Sequence, residues 1–109
     1  MIYYVYMLRC EDGSLYTGIT TDLARRFEEH RNGKGAKYTR SRGAVRIEAA
    51  WSCKEKGDAL RLESAIKKLP KGKKEKLAAG TEENLPASVS ELIETFFHRV
   101  ENAFCRNFE

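Results

Sequence analysis

The sequence predicts an α+β domain built around a small antiparallel sheet. A strand, tight turn and second strand open the chain, and a third segment with alternating apolar residues follows near the middle. The segments between and after these repeat apolar residues at helical spacing. No segment predicts a fourth strand, and a chain of 109 residues is long enough for one compact core.

The opening pattern, residues 3–19, predicts a β-hairpin. An Asp-Gly pair at 12–13 lies between runs of aromatic and β-branched residues and supplies the positive φ that a tight turn needs. A three-residue turn would pair Tyr6 with Gly18 and place Tyr6 and Tyr16 on one face. A two-residue turn would shift the pairing by one residue and separate the two phenols, so their proximity depends on this register.

A helix is predicted over about residues 22–31, because Thr20, Thr21 and Asp22 offer an N-cap before an apolar stripe that includes Phe27. Arg26 and His30 are four residues apart and should share one face at the rim of this stripe. A solvated row of charged side chains is the simpler explanation of both residues.

The next segment, residues 34–42, predicts a loop in which basic side chains surround one aromatic ring. Its candidate nucleic-acid contacts are Lys34, Lys37, Tyr38, Arg40 and Arg42. This mixture suits a phosphate backbone together with a base or sugar face. An ordinary solvated loop explains the composition equally well.

A third strand and a second helix are predicted next. Residues 45–53 alternate apolar and polar side chains, and Gly57-Asp58 is the signal for the start of a helix that Pro70 ends. The apolar stripe of this helix is Ala59, Leu62, Ile66 and Leu69. Glu63 lies at the margin of the stripe, where an ion pair with Lys67, four residues later, is its simplest role.

Residues 67–76 contain six lysines, most simply a solvated surface. The candidates for a phosphate-binding track are Lys67, Lys71, Lys73 and Lys74. A short helix is predicted to follow as far as Ala79, with Gly80 closing it.

Residues 81–109 differ in composition and are predicted to form an acidic linker and an amphipathic helix over residues 88–106. The broad apolar stripe of that helix must be buried. Packing on the preceding domain, residues 1–80, is the default, and a second copy of the chain or another protein partner is the alternative.

Charge is divided between the same two regions. Residues 1–80 contain 18 Lys and Arg against 10 Asp and Glu, whereas residues 81–109 contain 2 against 6. A basic region of this size favours a polyanionic partner, although it is also common on other proteins.

Other sequence features narrow the class of protein. Three widely spaced cysteines, Cys10, Cys53 and Cys105, lack the spacing of a zinc site or a disulfide framework and are best explained as buried thiols. No apolar run approaches the length of a membrane span, and Met1 leads directly into a strand. We therefore expect a cytoplasmic protein without membrane contacts.

Taken together, these segments resemble the GIY-YIG nuclease superfamily over about residues 3–79. The resemblance rests on Tyr4-Val5-Tyr6, Tyr16-Thr17-Gly18, the helix with Arg26 and His30, the basic segment at 34–42, and Ala59 to Glu63. It is closest to the small stand-alone bacterial branch, and residues 35–40 also resemble the structure-selective endonuclease subunit of eukaryotes. The resemblance implies a three-stranded antiparallel sheet flanked by helices.

The resemblance also implies an activity: hydrolysis of phosphodiester bonds in DNA, selected by structure, in repair or recombination. RNA is the alternative substrate. Tyr6 and Tyr16 would be the phenols of the site, Arg26 and His30 their helix partners, and Glu63 the ligand of one Mg²⁺ or Mn²⁺. Bringing a phenol from its usual pKa of about 10 to neutrality requires roughly 4 kcal/mol, for which Arg26 and the metal are the candidates.

Two alternatives stay open beside the endonuclease. The chain could be a nucleic-acid-binding module with little or no cleavage, or a subunit that takes its specificity from a partner. Some family members carry a lysine where Ile19 stands, and many carry an asparagine after the metal-binding glutamate that has no counterpart in this sequence. These departures favour the binding module, whereas the presence of all five implied site residues favours the enzyme.

Overall fold

The computed structural model describes residues 1–81 and 85–100. The elements in these ranges, in chain order, are β1 (Tyr3–Cys10), β2 (Leu15–Thr20), α1 (Leu23–Arg31), α2 (Lys37–Arg42), β3 (Ala44–Cys53), α3 (Lys56–Lys67), α4 (Lys71–Ala79), α5 (Ala87–Phe96) and β4 (His98–Arg99). The α+β class and the antiparallel sheet are confirmed.

The hairpin has the register that a three-residue turn predicts. Gly13 adopts φ +86°, and the amide of Cys10 donates to the carbonyl of Ser14 over 2.9 Å. Tyr6 then pairs with Gly18 across β1 and β2. Both phenols consequently lie on the sheet face that α1 covers.

The sheet has four strands in the order β2-β1-β3-β4, so the prediction of three strands is wrong by one short edge strand. β4 pairs Arg99 with Trp51 and His98 with Ser52 of β3. A strand of two residues is too short to show the alternation by which longer strands are recognised.

Two helix boundaries also differ from prediction. α3 begins at Lys56 instead of at a Gly57-Asp58 cap, and Asp58 forms an ion pair with Arg61 inside the first turn. α5 ends at Phe96, whereas the predicted helix extends over residues 88–106. Residue 97 is buried in extended backbone and leads into β4, while residues 101–106 lie outside the described range.

The remaining predicted helices are confirmed. Asp22 caps α1 by accepting from the amide of Arg25 at 3.1 Å. α4 runs to Ala79 and ends at Gly80, whose φ is +88°.

The sheet separates two apolar layers. On one face Leu23 and Phe27 of α1 cover the side of β1 and β3 that holds Tyr6. On the other face the larger core combines residues of α3, α4 and α5 with the opposite sides of the strands. α5 contributes Val89 and Ile93 to this larger core, so its described part packs on its own domain.

Cys10 and Cys53 are free and buried, as expected, whereas Cys105 lies outside the described residues. Across residues 1–81 and 85–100, every helix is too short or too polar to cross a membrane.

Candidate functional site

Tyr6 of β1 and His30 of α1 form the centre of the candidate site. The Tyr6 Oη and the His30 Nε2 are 2.8 Å apart, and the two side chains are only 2 % and 1 % exposed. His30 is therefore buried beneath α1, whereas the sequence predicts a position at the rim of the apolar stripe of this helix. The reason is that His30 follows Phe27 by one helical turn and shares its inward side.

The second nitrogen of His30 is also bonded. Its Nδ1 lies 2.7 Å from the hydroxyl of Thr39, which itself donates to the carbonyl of Ala36 over 3.0 Å. Thr39 is 1 % exposed and belongs to α2, a short helix within the segment predicted to be a loop. Six residues are too few for a periodic apolar stripe, and no sequence signal distinguished this threonine from its charged neighbours.

Gly35 lies directly against the imidazole. A Cβ at this position would stand 2.2 Å from the Nδ1 of His30, well inside contact distance. The missing side chain thus lets the backbone before α2 close over the ring.

Tyr16 forms the more exposed side of the site. Its ring centroid lies 6.3 Å from that of Tyr6 and 5.4 Å from that of His30. The Nζ of Lys67 lies 5.9 Å from the Tyr16 ring centroid. The positive charge of Lys67, on α3, therefore lies near Tyr16. In the family that the sequence resembles, some members place a lysine where this chain has Ile19.

Arg26 and Glu63 both lie near the same phenol. Arg26 is near enough to act on the pKa of Tyr6 and forms an ion pair with Glu29 at 3.1 Å. Glu63, on α3, is near enough for its charge to raise the pKa of Tyr6. It also forms the predicted ion pair with Lys67, with 3.5 Å between Oε2 and Nζ.

Burial determines the protonation of the central pair. It raises the pKa of Tyr6 to about 12, and the nearby Arg26 guanidinium only partly opposes this rise. Burial also lowers the pKa of His30 to about 4, with the positive charge of Arg26 acting in the same direction. Both groups are therefore neutral at pH 7 in the protein alone. Without a bound metal, Arg26 therefore does not bring the pKa of the phenol near neutrality.

The pKa of His30 predicts a loss of stability in acid. The unfolded imidazole binds a proton near pH 6.5 and the folded one only near pH 4, so stability is lost as pH falls through this window. This group alone should cost roughly 3 kcal/mol of unfolding free energy between pH 7 and pH 4. Urea unfolding across that range should show the loss in the native chain and a smaller one in His30→Gln. His98→Gln, which changes an exposed histidine, should retain the native slope; equal slopes in all three chains would contradict the burial argument.

The basic residues predicted to bind nucleic acid fall into two groups. Lys34, Lys37 and Arg40 are exposed around α2. Arg42 instead lies 3.9 Å above the ring centroid of Tyr38 and pairs with Asp12 of the hairpin turn at 3.1 Å. The side chain of Arg42 is thus already engaged in holding α2 against the hairpin.

Two residues of the second group, Lys71 and Lys74, line a cleft of about 210 Å³ between α4 and the hairpin. Its walls are Ser14, Leu15, Tyr38, Lys71, Lys74 and Glu75. Arg9 holds α4 in place there, with 2.7 Å from its Nη1 to Glu75, and this pairing lowers the pKa of the Glu75 carboxyl. The ring centroids of Tyr38 and Tyr16 are 5.8 Å apart. The cleft is therefore continuous with the candidate site. A larger cavity of about 500 Å³, between α3 and α5, is lined by none of the site residues.

Glu63 is the residue that could hold a divalent metal. No cluster of three His, Cys, Asp or Glu side chains able to bind one exists among residues 1–81 and 85–100. A single, partly exposed carboxylate fits Mg²⁺, which keeps most of its waters and takes substrate phosphate as a further ligand. It does not fit zinc, which needs several nitrogen or sulfur ligands.

The fold and this site define a GIY-YIG catalytic domain, and the family model of that description matches residues 2–76. The chain therefore belongs to the GIY-YIG family, a nuclease superfamily whose enzymes typically use a divalent metal. More particularly, its relatives include UPF0213 proteins, which are small stand-alone members. The UPF0213 protein of Fusobacterium nucleatum is 54 % identical over 71 % of this chain and 77 % of its own. That of Halalkalibacterium halodurans is 52 % identical, over 72 % and 84 %.

A solved structure supports the same assignment. The solution NMR structure of a UPF0213 protein from Bacillus halodurans is 49 % identical in sequence to this chain. It aligns with a TM-score of 0.50 and covers 77 % of this chain and 89 % of its own.

Proposed function

We propose that this chain is a metal-dependent endonuclease that hydrolyses phosphodiester bonds in DNA, selects its substrates by structure, and serves repair or recombination. The observation that carries the proposal is the buried hydrogen bond between Tyr6 and His30, at a point that Arg26 and Glu63 also approach. Phosphodiester hydrolysis needs a proton acceptor for water and positive charge for the phosphate, and these side chains supply both.

The proton acceptor is the linked pair. As Tyr6 takes a proton from the attacking water, its own hydroxyl proton passes to the Nε2 of His30, 2.8 Å away. A transfer of this kind needs no free phenolate at neutral pH, which matters because burial raises the pKa of Tyr6 to about 12. The phosphate anion of the substrate, bound at Arg26, would stabilise the imidazolium that results.

The phosphate is held by Arg26, whose side chain is 30 % exposed and whose guanidinium is oriented by Glu29. A guanidinium can donate two parallel hydrogen bonds to phosphate oxygens. Tyr16, at the open side of the site, supports the water or the phosphate through its hydroxyl.

A bound Mg²⁺ or Mn²⁺ would supply positive charge to the leaving oxygen. Glu63 would hold the ion, and its present partner, Lys67, would then be free to pair with a substrate phosphate. Tyr38 and the remaining basic side chains would contact the nucleic-acid backbone on either side of the cleaved bond. They are Lys34, Lys37, Tyr38, Arg40, Arg42, Lys71, Lys73 and Lys74. Contacts of this kind read backbone shape and not base sequence, which supports selection by structure.

Incubation of the purified chain with nicked, branched and plain duplex DNA in Mg²⁺ tests the proposal. We expect cleavage of the nicked or branched DNA, and in Glu63→Ala a loss of at least about 100-fold with binding retained. Glu91→Ala, which removes an exposed carboxylate from α5, should cleave normally. Undiminished cleavage by Glu63→Ala would contradict the role of Glu63 as the metal ligand. RNA substrates of the same shapes, assayed in parallel, would show whether DNA or RNA is the preferred substrate.

A binding module without cleavage is the second candidate. The raised pKa of Tyr6 and the presence of Ile19 favour it. Binding of branched DNA by the native chain without any cleavage would support this candidate over the enzyme. A partner bound through residues 88–106 is a further proposal, which Phe96, 44 % exposed on α5, supports. Specific cleavage by the isolated chain would remove the need for such a partner.

A further inference from the structure

The hydrogen bonds around His30 form a series in which donors and acceptors can be assigned. The carbonyl of Ala36 can only accept, so the single hydroxyl proton of Thr39 is donated to it over 3.0 Å. The Thr39 oxygen is then left to accept, and the Nδ1 of His30, 2.7 Å away, must be the protonated nitrogen. In a neutral imidazole the other nitrogen, Nε2, is consequently an acceptor.

The Tyr6 end of this series of hydrogen bonds indicates the same tautomer of His30. The positive charge of Arg26 lies near enough to the Tyr6 oxygen to favour electron density there. The Tyr6 hydroxyl proton then needs an acceptor, and the Nε2 of His30 is 2.8 Å away. The reverse tautomer would direct the Nε2 proton at the Tyr6 oxygen and leave the Tyr6 proton without this partner. Only the first arrangement gives the Tyr6 hydroxyl proton an acceptor in this series of hydrogen bonds.

We propose that Thr39 is a positioning residue that holds His30 in the tautomer protonated at Nδ1, leaving Nε2 free to receive the Tyr6 proton. The catalytic consequence of this inference rests on the proposed function, but the tautomer itself does not. In the reaction, water gives one proton to the Tyr6 oxygen while the Tyr6 proton moves to Nε2. Hydroxide, a neutral phenol and an imidazolium result, and the Nδ1 proton stays on its bond to Thr39.

Thr39 is suited to this role because its helix is anchored on both sides. The amide of Glu11, in the hairpin turn, donates to the carbonyls of Arg42 and Gly43 at 3.1 and 3.0 Å. The absence of a side chain at Gly35 keeps the backbone before the helix against the imidazole ring. The hydroxyl of Thr39 therefore has little freedom to move away from His30.

NMR of protein with ¹⁵N-labelled histidine tests the tautomer directly, without metal or substrate. At pH 7.5 we expect His30 to show a protonated Nδ1 and an unprotonated Nε2, with exposed His98 as an internal reference. Thr39→Val, which has nearly the same shape but no acceptor, should shift His30 toward the other tautomer or a mixture. Thr39→Ser should restore the native signals.

The kinetic counterpart is a fall in kcat of about tenfold in Thr39→Val with KM nearly unchanged, and recovery in Thr39→Ser. A native His30 protonated at Nε2, or a Thr39→Val spectrum identical to the native one, would overturn the inference. The native spectrum needs no variant, so a substitution that fails to fold leaves the test intact. An inactive protein with the expected tautomer would count against the proposed nuclease and not against this positioning role.

Discussion

Tyr6→Phe is expected to lower the rate of DNA cleavage by about 100- to 10,000-fold, the usual range for loss of a group that transfers a proton in the reaction. The hydroxyl of Tyr6 is the one bonded to His30 at 2.8 Å, and without it no phenol connects the attacking water to the imidazole. DNA binding, which depends on the basic surface, should change little. Single-turnover cleavage and fluorescence anisotropy measure the two effects separately.

The matched control is Tyr4→Phe, which removes a hydroxyl from the same strand and the same sheet face. It should cleave at nearly the native rate. Removal of the Tyr6 hydroxyl also leaves the buried Nε2 of His30 without a donor, at a cost of about 1–3 kcal/mol in stability. The assay temperature must therefore lie below the thermal unfolding of the variant, as circular dichroism would show. Cleavage by Tyr6→Phe within a fewfold of native would exclude Tyr6 from proton transfer.

Gly18→Val is expected to reduce cleavage by at least about 100-fold, because the reacting groups are displaced. A Cβ at Gly18 would lie 2.6 Å from the Tyr6 Oη and 3.0 Å from the Cε2 of Tyr16, so one or both phenols must move. The space opposite Tyr6 is thus filled by the phenols themselves. Cleavage assays, together with the loss of near-ultraviolet tyrosine signal, would report the displacement.

Thr17→Val provides the comparison for this variant. Thr17 is the neighbour of Gly18 on β2, is equally buried, and its side chain points to the opposite sheet face. Valine has almost the same volume, so activity should stay within a fewfold of native. Equal losses in Gly18→Val and Thr17→Val would mean that the damage comes from the strand as a whole and not from the Tyr6 face.

Local signals predicted much of this fold correctly. The Asp-Gly pair at 12–13 predicted the turn, and of the two turn lengths considered, the three-residue one gives the register that brings Tyr6 opposite Gly18. Asp22 marked the start of α1, and Gly80 marked the end of α4. Each of these signals acts within a few residues, which is why sequence reasoning can detect them.

The parts that were missed depend on contacts between distant segments. α2 is too short for a periodic stripe, β4 pairs only two residues, and the bond from His30 to Thr39 joins separate elements. The direction of the Tyr6 pKa was missed for a related reason. Charges near a phenol can be anticipated from a family resemblance, whereas its burial depends on how α1 packs on the sheet.

The proposed catalytic groups are supported by two different apolar layers, one on each face of the sheet. Tyr6 and His30 are secured on the side of the sheet that α1 covers, while Glu63 is carried by a helix of the opposite side. If Glu63 holds the ion as proposed, changes that repack α3 would weaken metal binding and leave the Tyr6 and His30 pair in place. A chain altered in this way would lose cleavage while keeping its basic surface, so loss of catalysis and loss of nucleic-acid binding would require different mutations.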